Sequence, residues 1–167
     1  MGKIKLCIIG EARSGKDTMA EILKEEFGYT FESSSMAAAR IFIFDMLKEK
    51  YGYKTFESCY EDRMNKRKEW YELIVNYNTP DKSRLAKEIM KNSDVYVGMR
   101  HSEEIETCRE EGVFDLVIYV DSEGRTEPES TDSCTITKVD ADIIIENKDD
   151  YGSFREKVIR LGKSLRL

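Results

Sequence analysis

Between residues 10 and 18 the chain reads GEARSGKDT, directly after the apolar run KIKLCII at 3–9. Gly10, four residues, then Gly15 and Lys16 is a spacing that cradles phosphate. The glycines let the backbone curl until its N–H groups face phosphate oxygens. The helix that follows adds its positive dipole end, and the lysine reaches the β- and γ-phosphates. The stretch therefore predicts ATP contacts from Gly10, Ala12, Arg13, Ser14, Gly15, Lys16, Asp17 and Thr18. Asp17 stands where a hydroxyl usually follows the lysine. A carboxylate there is a hard oxygen ligand for Mg2+, directly or through water, with the Thr18 hydroxyl beside it. The helix dipole by itself also favours an acid in a first turn.

Phosphoryl transfer between two polyanions needs cations on rigid supports, and arginine supplies permanent, two-pronged ones. Arg100 closes the apolar run DVYVGM and is expected to bridge donor and acceptor phosphates. Arg63 and Arg67 lie four apart and are expected to share a helix face, a paired cationic group able to hold an anion. The alternative for that pair is an ordinary solvated face laced with Glu61, Asp62 and Glu69. Trp70 and Tyr71 either stack on a base or pack in the core, and Asp81, after Pro80, either caps a helix or touches substrate. Arg125 lies in the polar stretch SEGRTEPESTDS at 122–133. A plain surface connection accounts for the same stretch. His101 is the one histidine, and a helix start explains it without a catalytic role.

The elements that must position these residues alternate in type. Apolar runs at 3–9, 29–33, 94–99, 114–121 and 141–147 read as strands. Helical periodicity runs over 16–27 until Gly28, and over 34–50, with Met36, Ala39, Ile43, Met46 and Leu47 on one side. It resumes over about 61–77, 82–92, 101–111 and 150–165. The pattern predicts one α/β domain over residues 1–167: a five-stranded, mainly parallel sheet with helices on both faces and a helical insert at about 52–92. Ligands of such sheets sit at the carboxyl ends of the strands, where the glycine-rich loop, Arg100, Asp121 and Asn147 all fall.

Lys and Arg number 27 against 33 Asp and Glu, a net charge of −6 that argues against broad nucleic-acid or membrane binding. The four scattered cysteines form no C-x-x-C pair, as in a reducing compartment, and no apolar run is long enough for a membrane span. A cytoplasmic protein is expected. DSEG from Asp121 and NKDD from Asn147 mimic two GTPase signatures, but the stretch between them is too short for the usual helix and strand.

GEARSGKDT resembles the S-G-K-D-T loop of the phage deoxynucleoside monophosphate kinases, a branch of the P-loop nucleoside monophosphate kinases. The resemblance continues through DMLKEKYG, the charged EDRMNKRKEW and VYVGMRHSEEIE. The last segment is similar to that family's strand-end D-x-R with a glutamate four residues after the arginine, which maps to Arg100 and Glu104. The family's aspartate falls at Gly98, which shifts metal binding toward Asp17. The resemblance implies a P-loop NTPase fold and Mg2+-dependent transfer from ATP to a (deoxy)nucleoside monophosphate in the cytoplasm, a host's if the gene is phage-borne. It implies Lys16, Arg100 and Arg125 as catalytic residues, a short lid over 122–133 that closes over ATP and excludes water, Asn147 near the adenine, and Arg40, Arg63, Arg67, Asp81 and Glu104 on the acceptor side. Many relatives associate, so a homodimer is a further expectation. Two other readings stand beside it: a kinase of 5-hydroxymethyluracil-type bases in DNA, with Asp62 or Asp81 as base, and a nucleotide-binding regulator.

Overall fold

The computed structural model describes residues 2–125 and 134–167. Five strands, β1 (Leu6–Ile9), β2 (Phe31–Ser33), β3 (Val95–Val97), β4 (Leu116–Asp121) and β5 (Ile143–Glu146), form one sheet. Their order is β2-β3-β1-β4-β5, and every pairing is parallel. Eight α-helices accompany them among the described residues: α1 (Lys16–Phe27), α2 (Ser34–Ala38), α3 (Phe44–Tyr51), α4 (Phe56–Glu61), α5 (Arg67–Tyr77), α6 (Arg84–Met90), α7 (Ser102–Glu110) and α8 (Tyr151–Leu165).

Parallel strands need helical crossovers, and these cover both faces of the sheet. Side chains alternate along each strand, which sorts the core into two layers. Leu6, Ile8, Val97, Ile118 and Val120 pack with Met19 and Leu23 of α1 and Phe154 and Val158 of α8. Cys7, Ile9, Tyr96, Val117 and Tyr119 pack with Ala37 of α2, Leu85 of α6 and Ile105 of α7. Each fully buried aliphatic side chain contributes roughly 1.5–3 kcal/mol relative to exposure, while an exposed ion pair such as Lys48–Asp45 contributes about 0–1 kcal/mol. The two apolar layers therefore dominate what holds the crossovers to the sheet.

Between β2 and α3 the helix widens into a π-turn over Ala39–Ile43. The extra residue rotates the turns downstream of it, so Ala39, Ile43 and Leu47 point inward while Met46 is 56% exposed, not on the buried side as its spacing suggests. The helix expected over 61–77 is broken: α4 ends at Glu61, a 3-10 turn spans Asp62–Asn65, and Lys66 leaves helical geometry at φ −123° and ψ 24° before α5 begins. No helix among the described residues is long and apolar enough to cross a membrane.

Candidate active site

The loop between β1 and α1 is set by its backbone. Arg13 adopts φ +60° and Gly15 φ +105°, turning successive amides toward one concavity. A side chain at Gly15 would also overlap Asn147 Nδ2. That amide donates to Ser14 O at 2.8 Å, tying the loop to the strand end after β5. Arg125 braces the same seam, its Nε donating to Asn147 O at 2.9 Å and its Nη2 to Ser14 O at 3.2 Å and Arg13 O at 3.3 Å. Arg125 thus lies against the outer rim of the phosphate loop; the rest of the expected lid, residues 126–133, falls outside the described residues. Lys16 Nζ folds over the loop and donates to Gly10 O at 2.9 Å and Glu11 O at 2.6 Å.

Neighbouring strand ends carry the other groups. Gly98 follows β3 at φ +92°, and Ser34 Oγ, which donates to its carbonyl at 3.1 Å, would stand 3.3 Å from an added Cβ. An aspartate at this position would be strained, which accounts physically for the missing strand-end acid. At the end of β4, Asp121 forms ion pairs with Lys138 at 3.0 Å and Lys148 at 3.3 Å. Burial pushes its carboxyl up, but the Glu123 N–H and the two lysines outweigh that and hold it below the usual range. Asp150 caps α8 by accepting from Ser153 N at 2.8 Å. The acids of the GTPase-like tetrads therefore serve an ion-pair cluster and a helix cap.

A cavity of about 380 Å³ opens between the phosphate loop, the ends of β2 and β3, and the insert. Lys16, Arg13, Arg63, Arg67 and Arg100 border it, with Asp17 beside Lys16. Arg63 and Arg67 reach it from opposite sides of the break at Lys66 and not from one helix face. The Arg63 guanidinium is stacked 3.8 Å from the Tyr60 ring centroid and donates to Tyr60 O at 2.8 Å, so its direction is fixed. Much of the remaining lining is apolar and aromatic, with Trp70, Tyr71, Ile74, Val75 and Tyr96. Trp70 is 4% exposed and joins the core, as one of its two readings has it, and it also borders the cavity. Tyr71 OH lies 2.8 Å from His101 Nε2, which gives the histidine a positioning partner on this wall.

Two expected acceptor residues lie elsewhere. Arg40 grips Glu32 with Nε at 3.0 Å and Nη2 at 2.9 Å on the exposed edge of the sheet, away from the cavity. Asp81 accepts from Ser83 Oγ at 2.7 Å and Ser83 N at 3.0 Å and pairs with Lys87; the Ser83 hydroxyl first, then Lys87, holds its carboxyl down at about 2. It organises the entry to α6 and does not border the cavity. Asp62 is likewise taken, by Tyr53 OH at 2.5 Å and Asn65 at 2.7 Å.

Glu104, on the first turn of α7, borders the cavity and is 7% exposed. Its Oε1 accepts from Asn78 Nδ2 at 3.2 Å. Burial pushes its carboxyl up to about 7, against the opposing pull of the Asn78 hydrogen bond and Lys82. The usual value is 4.5, so between about 4.5 and about 7 the folded chain keeps a proton the unfolded chain has lost. Stability contributed by this group is therefore lost as pH rises through that window, by up to about 3 kcal/mol. Glu104→Gln removes the titration. Relative to the parent protein, the variant should gain stability between pH 5 and pH 8 in urea unfolding; a difference that does not change with pH would contradict the assignment.

No protein-family model and no curated protein matches the sequence. Solved structures do match in three dimensions. The shikimate kinase from Acinetobacter baumannii in complex with shikimate aligns over 98% of this chain and 95% of its own, at 16% identity and TM-score 0.55. This chain shares that enzyme's fold, a five-stranded parallel sheet with helices on both faces. Dephospho-CoA kinase from Campylobacter jejuni covers 96% of both chains at 16% identity and TM-score 0.54. The shikimate kinase from Bacteroides thetaiotaomicron covers 98% and 99% at 10% identity and TM-score 0.53.

Proposed function

We propose that this protein transfers the γ-phosphoryl group of ATP to the phosphate of a (deoxy)nucleoside monophosphate. The observation that carries the reading is the lining of the cavity, which combines Lys16, Arg63, Arg67 and Arg100 with an aromatic and apolar wall. An acceptor with an anionic group and a flat ring matches both parts. Solved kinases of the same fold support phosphoryl transfer as the reaction class.

An oxygen of the acceptor phosphate attacks the γ-phosphorus, the bond to the β–γ bridging oxygen breaks, and ADP leaves as the nucleoside diphosphate forms. The acceptor oxygen is already anionic, so no side chain has to remove a proton. The loop amides and Lys16 hold the donor phosphates, while Arg100 faces both phosphates from the end of β3. Arg63, held against Tyr60, and Arg67 fix the acceptor phosphate in line. Asn147 and Arg125 keep the loop in its binding shape through the Arg13 and Ser14 carbonyls. Asp17, exposed at the cavity edge, and the half-buried Thr18 are the residues that would hold Mg2+. One carboxylate and one hydroxyl suit an ion carried mainly by phosphate oxygens and water, and its charge would offset that of the transferring group.

The test is ATP turnover with each nucleoside monophosphate, with duplex DNA containing 5-hydroxymethyluracil, and with no acceptor. Stimulation by at least one monophosphate is expected. No stimulation by any of them overturns the proposal. Stimulation confined to the DNA would support a base kinase, for which Asp62 and Asp81 are already engaged away from the cavity.

A further inference from the structure

The cavity runs along one face of α5, where Arg67, Trp70, Tyr71, Ile74 and Val75 follow one another at helical spacing. Arg67 opens that helix and Asn78 closes it, so the 11 residues between helix start and cap set the two ends about 16 Å apart. Asn78 carries the hydrogen bond to Glu104. Glu104 therefore marks the end of the α5 wall opposite Arg67. A mononucleotide lying along this wall with its phosphate at the arginines turns its base toward Glu104.

What Glu104 offers there is well defined. Leu85 N donates to Asn78 Oδ1 at 3.0 Å, which orients the Asn78 amide so that its Nδ2 faces the Glu104 carboxyl. Asn78 is 3% exposed and Glu104 is 7% exposed. Among the described residues Oε2 of Glu104 has no hydrogen-bond donor. Oε2 is open to the cavity rather than sealed in the core, so a ligand that displaces water from it has to supply donors in its place. A carboxylate only accepts, so it favours a base edge that presents donors side by side. Guanine does so through its N1–H and its 2-amino group. Adenine and cytosine place an acceptor next to their amino donor, and thymine flanks its single N–H with two carbonyl oxygens.

We infer that Glu104, oriented by Asn78, is the base-reading residue of the acceptor site and selects a guanine nucleoside monophosphate. The inference rests on the nucleoside monophosphate reading above and goes beyond it in naming the base. Hydrogen bonds from the ligand favour the ionised carboxylate and offset its burial in the complex. Lys82, the nearby cation that acts on this group, assists in the same direction.

The chain's one tryptophan, Trp70, borders this wall and reports acceptor binding through its own emission. GMP and dGMP, AMP, CMP and dTMP are titrated against the parent protein and Glu104→Gln, and the same set is assayed with ATP for KM and kcat. The guanine nucleotides should bind the parent protein about tenfold or more tightly than the others. In Glu104→Gln their KM should rise by about ten- to a hundredfold with kcat within roughly threefold. Asn78→Ala, which frees the carboxyl to turn, should reduce the same preference in part. Emission titration and thermal melting show whether each variant is folded. A parent protein that binds and phosphorylates another base better, or all equally, overturns the inference while leaving the nucleotide kinase reading intact. So does a Glu104→Gln that loses kcat equally for every acceptor. Binding and turnover of no monophosphate at all would defeat both.

Discussion

Lys16→Ala should lower kcat/KM for ATP-dependent phosphoryl transfer by about a hundredfold or more. Removing one preorganised charged donor from a developing phosphoryl charge typically costs about 10²–10³ in rate. Lys16 is placed for that work: it opens α1 at the floor of the loop, and its Nζ rests within hydrogen-bond distance of two loop carbonyls. Exchanging those carbonyls for phosphate oxygens requires only side-chain rotation. The same contacts are only partly buried, so the stability change should stay near about 1 kcal/mol. Steady-state kinetics and urea unfolding measured together separate the two effects. Activity within threefold of the parent protein would remove Lys16 from the site.

Gly15→Ala acts on the loop itself and should damage stability and nucleotide binding together. The residue sits at φ +105°, where a side chain costs about 1–3 kcal/mol. Its Cβ would also displace Asn147 Nδ2 from Ser14 O; Ser14 O keeps Arg125 Nη2 as a donor, but the buried Asn147 amide loses its acceptor, at a cost of about 1–3 kcal/mol. Asn147 cannot retreat freely, because its N–H donates to Asp121 O at 2.7 Å and its carbonyl accepts from Arg125. The expected result is a destabilisation of about 2–5 kcal/mol together with loss of ATP binding, read by chemical denaturation and nucleotide titration. A variant that binds ATP normally would show that the loop tolerates another shape.

Much of this was legible in the residues. The start and end of α1 follow from Lys16 after the glycine loop and Gly28 at the left-handed cap, and the strands follow from their apolar runs. The insert was harder. EDRMNKRKEW has helical composition but little apolar periodicity before Trp70, so nothing in it marks the break at Lys66. The Thr55–Ser58 capping box that opens α4 was the available signal for a separate short helix. Spacing also misplaced Met46, since a π-turn leaves no mark in a hydrophobic pattern. Arg40 and Asp81 show why charge alone does not locate a site: each looks available in one dimension and meets its partner only in three. Glu104 is the converse case. The strand-end pattern picks it out, but its hydrogen bond with Asn78, far away in sequence, is visible only in three dimensions.

The measurement closest to the central claim is the fate of the phosphoryl group. With γ-labelled ATP, Mg2+ and a mixture of nucleoside monophosphates, chromatography should recover the label in a nucleoside diphosphate, in amounts that depend on Arg63, Arg67 and Arg100. Label recovered only as inorganic phosphate, or transferred to none of the monophosphates, would contradict the account.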